Sequence, residues 1–159
     1  MNTVLITGGS RGIGEAMVRL YSERGWRVAF TYLTSDEKAQ SLSRETGSLP
    51  LRCDAKSEAD TAAMAEQVVR QFGHLDALIC NAGISYAGLL QDMTVSAWDE
   101  LFAVHVRGAF LATRAFLPGM VSRQSGSILY VSSMWGQVRR RKLTNPKRWN
   151  RSVLSATTA

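Results

Sequence analysis

Residues 4–14 read Val4-Leu5-Ile6-Thr7-Gly8-Gly9-Ser10-Arg11-Gly12-Ile13-Gly14, a short apolar run entering a glycine-rich turn. The apolar triplet suits a buried strand, and from Glu15 onward the pattern is that of an amphipathic helix. Glycines between a strand and a helix let the backbone turn sharply and come close to a pyrophosphate. The negative charge is then met by amide N–H groups and by the helix N-terminus. The spacing is not the general dinucleotide fingerprint G-x-G-x-x-G but Thr-Gly-x-x-x-Gly-x-Gly.

Outward from this turn, short apolar runs alternate with longer amphipathic ones as far as Val131, the pattern of βαβ units around a parallel sheet. Strands are expected at residues 3–7, 27–32, 49–52, 77–80 and 127–131, and helices at 13–23, 36–46, 58–72 and 97–121. Ser57 with Asp60, and Ser96 with Asp99, have capping-box spacing, while Ser35 precedes the first-turn acids Asp36 and Glu37. The alternation stops after Gln137. Residues 139–159 combine a four-residue basic run, Pro146 and scattered Asn, Ser and Thr with no sustained period, the composition of a disordered tail. The expected division is a folded domain over 1–138 and a basic tail over 139–159.

The 159 residues are 45% hydrophobic, enough for one domain to bury a core. A net charge of +6 would by itself suggest an acidic partner such as nucleic acid. Its placement argues otherwise, because Arg139, Arg140, Arg141, Lys142, Lys147, Arg148 and Arg151 face no acid within the tail, leaving twelve basic against thirteen acidic residues over 1–138. Seven cations with only Trp149 among them make a poor nucleic-acid arm, so such binding is not expected. Cys53 and Cys80 lie far apart in apolar contexts without CxxC spacing, which points to core thiols and to no metal or disulfide. The first strand begins within three residues of Met1 and no apolar run reaches spanning length, so a cytoplasmic protein without a membrane segment is expected.

Three further motifs follow the glycine turn in order: Asp54 after the third strand, Asn81-Ala82-Gly83 after the fourth and Ser132-Ser133 after the fifth. Taken singly, Asp54 could start a loop and Asn81-Ala82-Gly83 could turn a strand. Together they resemble the short-chain dehydrogenase/reductase family, and most nearly its 3-oxoacyl-(acyl-carrier-protein) reductases, over about 138 residues. The resemblance implies a Rossmann-like doubly wound parallel sheet of about five strands in the order 3-2-1-4-5, truncated relative to the family. It implies a nicotinamide cofactor held by Gly8, Ser10, Arg11, Gly12, Ile13, Gly14, Asp54, Asn81, Ala82 and Gly83.

The choice of cofactor rests on charge. An NAD site places a carboxylate at the end of the second strand for the ribose 2′-hydroxyl, where it would repel a 2′-phosphate. Here Thr31-Tyr32-Leu33-Thr34-Ser35 contains no acid before Asp36, and Arg11 offers a cation suited to phosphate. NADP(H) is expected, with Tyr32 and Thr34 beside it.

For catalysis, the resemblance implies a serine that orients a small-molecule carbonyl substrate, a tyrosine that transfers the proton, and a lysine four residues later that lowers the tyrosine pKa. Ser133 fills the serine position. His105 stands where the family has a helical asparagine in a proton relay; a histidine can relay protons, and it can equally be a helix-face residue in a polar niche. Thirteen residues past Ser133 lies Pro146, with Asn150 at the lysine position, and no tyrosine follows Tyr130. A tyrosine near its ordinary pKa of about 10 already needs a neighbouring cation to work at neutral pH. Losing both residues implies an oxidoreductase fold with impaired turnover, or alternatively a non-catalytic NADP(H)-binding or dimerising fragment that associates through the helix at 97–121. Motif match, acidic residues and periodicity all lapse at Val138, which reads as a frameshift, altered splice or degenerate gene, and the fifth strand is then expected at an exposed sheet edge.

Overall fold

The structure is a computed structural model and describes residues 1–132. Five strands alternate with helices: β1 (Thr3–Ile6), α1 (Gly12–Glu23), β2 (Arg27–Tyr32), α2 (Asp36–Thr46), β3 (Leu49–Arg52), α3 (Glu58–Phe72), β4 (Ala77–Cys80), α4 (Val95–Phe102), α5 (Gly108–Ser122) and β5 (Ser127–Tyr130). The strands form one parallel sheet in the order β3-β2-β1-β4-β5, the Rossmann-like arrangement expected. The reversal of order between β1 and β4 leaves a crevice at the strand C-termini, where ligands of such sheets bind.

Side chains alternate across the sheet because successive strand residues point to opposite faces. Val4, Ile6, Val28, Phe30, Tyr32 and Ile79 pack against Val18 of α1 and Ala39 and Leu42 of α2. Leu5, Ala29, Leu51 and Leu78 face the other way, against Met64 and Val68 of α3 and Ala112, Phe116 and Met120 of α5. Helices on both faces explain why the central strands read as unbroken apolar runs. Cys53 and Cys80 are buried free thiols in the second cluster, and burial pushes each up to about 11, as expected of inert core cysteines. Among the described residues β5 is an edge strand, with Leu129 and Tyr130 each 54% exposed.

Several boundaries differ from the sequence expectation. The first and fifth strands each end one residue earlier, at Ile6 and Tyr130. Ser57 caps α3 as expected, accepting from the Asp60 N–H at 3.1 Å. Ser35 makes no capping bond; its backbone (φ −101°, ψ 57°) is outside the extended region that aims a cap side chain into the first turn. Ser96 lies inside α4, and Thr94 is the cap, extended at φ −73°, ψ 153° and accepting from the Ala97 N–H at 3.1 Å. The single helix expected at 97–121 is divided by a π-helical segment, Ala103–Arg107.

At the opposite end of the sheet from the crevice, Asp76 ties β4 to β1. Its Oδ2 accepts from the Thr3 N–H at 2.8 Å and from the Thr3 hydroxyl at 2.9 Å. Burial works to raise this carboxyl, but the bonds from Thr3 outweigh it and hold the group below the ordinary carboxylate range. A carboxyl whose pKa is lower in the folded than in the unfolded chain stabilises the fold above its unfolded value, and that contribution is lost as pH falls through the folded one. Asp76→Asn is therefore expected to cost about 1–3 kcal/mol in urea unfolding at neutral pH. The gap from the parent should narrow in acid, below the ordinary carboxylate value; a gap independent of pH would contradict the assignment.

Candidate cofactor site

The glycine turn leaves β1 at Thr7 and is fastened from both sides. From β2, the Gly8 N–H donates to Thr31 Oγ1 at 3.0 Å and the Gly9 N–H to the Thr31 carbonyl at 2.8 Å. From β4, the Asn81 and Ala82 N–H groups donate to Thr7 Oγ1 at 2.9 and 3.0 Å, and Asn81 Nδ2 donates to the Thr7 and Gly8 carbonyls at 3.0 and 3.1 Å. Asn81 is thus a clamp on the turn. Gly14 shows how close the packing is: a Cβ there would lie 2.2 Å from the Gly8 carbonyl oxygen and 2.7 Å from Asn81 Nδ2.

Gly12 is the opposite case. It holds φ +55°, a left-handed conformation that favours glycine, and a Cβ on it would meet nothing within 4 Å. It opens α1, whose first N–H groups have no intrahelical partner; Glu15 is the first to close a bond, to the Arg11 carbonyl at 3.2 Å. Arg11 is the extended N-cap residue and, like Gly12 and Ile13, is exposed, while Ser10 is buried. Free amide donors, a helix N-terminus and an open face above glycine make an anion cradle.

At the end of β2, Thr34 is exposed but Tyr32 is buried, its ring in the core beneath α1 and α2. Burial first, and then neighbouring Asp36, raise the Tyr32 hydroxyl. Arg52, the last residue of β3, sits level with Tyr32 in the sheet register, and its Nε donates to the Leu33 carbonyl at 3.3 Å. Asp54 follows; its Oδ1 accepts from the Lys56 N–H at 3.0 Å, and its own N–H donates to Asp60 Oδ2 at 3.0 Å. It does start a loop, the one that joins β3 to α3.

His105 reaches the Asn81-Ala82-Gly83 turn from the π-helical segment. Its ring crowds Gly83, where a Cβ would lie 2.6 Å from His105 Cε1. Its Nε2 is 2.7 Å from the Ile84 carbonyl and 3.2 Å from the Ile84 N–H. One nitrogen cannot donate to the first and accept from the second in the same tautomer, and the shorter contact favours donation to the carbonyl. His105, Ala82, Thr7, Ala55 and Tyr130 line a common cavity at the strand C-termini, and the Tyr130 hydroxyl is bonded to Thr113 at 2.7 Å. Ser133, Pro146 and Asn150 lie outside the described residues, as does the basic tail. Among the described residues no group of His, Cys, Asp and Glu is arranged to hold a metal ion.

Sequence reasoning named the glycines and Asn81 but not the Thr7 hydroxyl or Thr31 as the groups fastening the turn, nor Arg52. Both threonines stand within quoted motifs, so a signal existed; their roles depend on strand register.

The model for the short chain dehydrogenase family matches residues 2–145. The chain is 35% identical over 141 residues to the 3-oxoacyl-[acyl-carrier-protein] reductase FabG of Staphylococcus aureus, covering 86% of this chain and 57% of that protein. It is 35% identical over 133 residues to the acetoacetyl-CoA reductase of Paracoccus denitrificans, covering 84% and 55%. The chain thus spans just over half the length of these curated relatives. A metagenomic short-chain oxidoreductase, solved in complex with NADP, superimposes with a TM-score of 0.81 at 33% identity, covering 87% of this chain and 65% of the other.

If Asn81 clamps the turn, Asn81→Ala leaves the Thr7 and Gly8 carbonyls short of a donor and should cost about 1–3 kcal/mol in denaturant unfolding. Asn81→Asp replaces a donor with a carboxylate facing two carbonyls and should cost more. Equal stabilities for all three proteins would refute the clamp.

Proposed function

Because this chain belongs to the short chain dehydrogenase family, we propose that its folded part binds NADP(H) at the glycine turn and performs little or no carbonyl reduction. The observation that carries this is the cradle over Gly12, open above left-handed glycine and edged by unpaired amide donors. The cofactor would be held along the crevice. Its pyrophosphate would meet the unpaired amides of residues 10–14 at the α1 N-terminus; Asp54 would receive the adenine, and Ala82 and Gly83 would lie along its length. Arg11 and Thr34 flank a strand exit without a carboxylate between Thr31 and Ser35, the charge pattern that accepts a 2′-phosphate.

When bound, the nicotinamide supplies or takes up a hydride. Of the chain's own groups, Ser133 would orient a carbonyl oxygen and His105 would position the 83–84 turn through the Ile84 backbone. Proton transfer lacks its acid, since Pro146 and Asn150 occupy the places of the tyrosine and lysine. Loss of such a group costs about 10²–10⁴-fold in rate.

A second reading, a dimerising cofactor-binding fragment, is favoured by one surface. Val95, Trp98, Phe102, Val106, Phe110, Leu117 and Val121 recur at helical spacing along α4, the π-helical segment and α5, each at least 43% exposed. Trp98 and Phe102 stack on each other at 4.5 Å between ring centroids. An apolar stripe of this length on a helical face suits a matching surface.

Fluorescence titration should show NADPH binding more tightly than NADH, while NADPH consumption with a 3-oxoacyl thioester stays at background. Turnover that vanishes in Ser133→Ala would overturn the inactive reading. In sedimentation velocity the parent chain should run as a dimer and Trp98→Lys/Phe110→Glu as a monomer; a monomeric parent would remove the second reading.

A further inference from the structure

We propose that Arg52 is a specificity-determining residue of the nucleotide site: a second cation, beside Arg11, that selects a 2′-phosphorylated adenosine. The proposal rests on the NADP(H) reading above and assigns to β3 a role that the glycine turn and the β2 exit do not fill by themselves.

In the parallel pair of β2 and β3, Arg52 is partnered with Tyr32, so the two residues stand level at the strand ends and project to the same face. The next residue on each strand continues the pairing, with the Cys53 N–H donating to the Tyr32 carbonyl at 2.9 Å. This fixes the Arg52 backbone, and the Nε bond to the Leu33 carbonyl at 3.3 Å then fixes the guanidinium beside the chain as it leaves β2. The side chain is exposed, and among the described residues its two terminal nitrogens make no hydrogen bond or ion pair. A guanidinium held by Nε and free at its outer edge presents the fork that matches phosphate geometry.

The surroundings are selective. Thr34 and Ser35 supply hydroxyls at the same strand exit, and no carboxylate lies between Thr31 and Ser35. Two acids are close enough to matter. Asp36 stands beside the Tyr32 hydroxyl. Asp60 feels the Arg52 charge but is engaged by the Asp54 N–H and the Ser57 hydroxyl. Neither pairs with Arg52, so the cation remains available to a dianion, whereas the 2′-hydroxyl of an unphosphorylated ribose offers it no charge.

The test is the ratio of NADPH to NADH affinity in the whole chain, measured by fluorescence titration for the parent, Arg52→Gln and Arg52→Lys, with a thermal melt of each apo protein. Arg52→Gln should weaken NADPH about tenfold and leave NADH within about twofold, and Arg52→Lys, keeping the charge without the fork, should fall between. Melting temperatures should match, because the substituted side chain is exposed. A parent that prefers NADPH and a variant that keeps the full preference would overturn the role of Arg52 and leave the NADP(H) reading standing. Equal weakening of both nucleotides would also overturn it, as a structural effect. A parent that binds neither nucleotide, or both equally, would remove the NADP(H) reading itself and this proposal with it.

Discussion

The Thr7–Asn81 junction carries the rest of the site. One hydroxyl accepts two backbone N–H groups from the residues after β4, and one amide nitrogen returns two bonds to the carbonyls entering the glycine turn. These four bonds tie together the C-terminal ends of adjacent strands β1 and β4, where the order of the sheet reverses. Without them the turn would be an irregular loop with unsatisfied carbonyls; with them it becomes a fixed ledge on which the amides opening α1 have no intrahelical partner. The close approach of Gly14 to Gly8 and Asn81 follows from the same junction, since helix α1 can start there only if no side chain intervenes.

The layered fold was largely legible because burial on two sides leaves a strong trace. Strands covered by helices on both faces become apolar runs, and the helices between them carry a one-sided stripe. The legible exceptions were local: Thr94 and Ser96 are chemically equivalent as caps, and only backbone conformation decides between them. The π-helical segment was invisible for a related reason. Inserting a residue into a helix whose exposed face is also apolar, as at Val106 and Phe110, hardly disturbs a hydrophobic pattern.

Site residues divided along the same line. The glycines, Asn81 and Asp54 are recognisable because their chemistry and spacing are tied to short loops. Thr31, Thr7 and Arg52 act across strands, and their roles arise from register, which a linear motif does not encode. His105 lies between these cases. Its position in the chain marked it, but its bond to Ile84 and its packing on Gly83 come from the widened helical segment. Its single reachable nitrogen can serve one Ile84 backbone group at a time. A side chain carrying both a donor and an acceptor could serve both.

The loops that build the candidate cradle all lie before Gly83 in the chain, whereas Ser133, Pro146 and Asn150 come after the last described strand. The central claim is that the clamped glycine turn is a working nucleotide cradle. Hydrogen–deuterium exchange with and without NADPH tests it most directly. Exchange should slow only at residues 8–14, the β2 exit and residues 81–84, with the remote ends of α3 and α5 unchanged. Exchange in the glycine turn that is the same with and without saturating NADPH would contradict it.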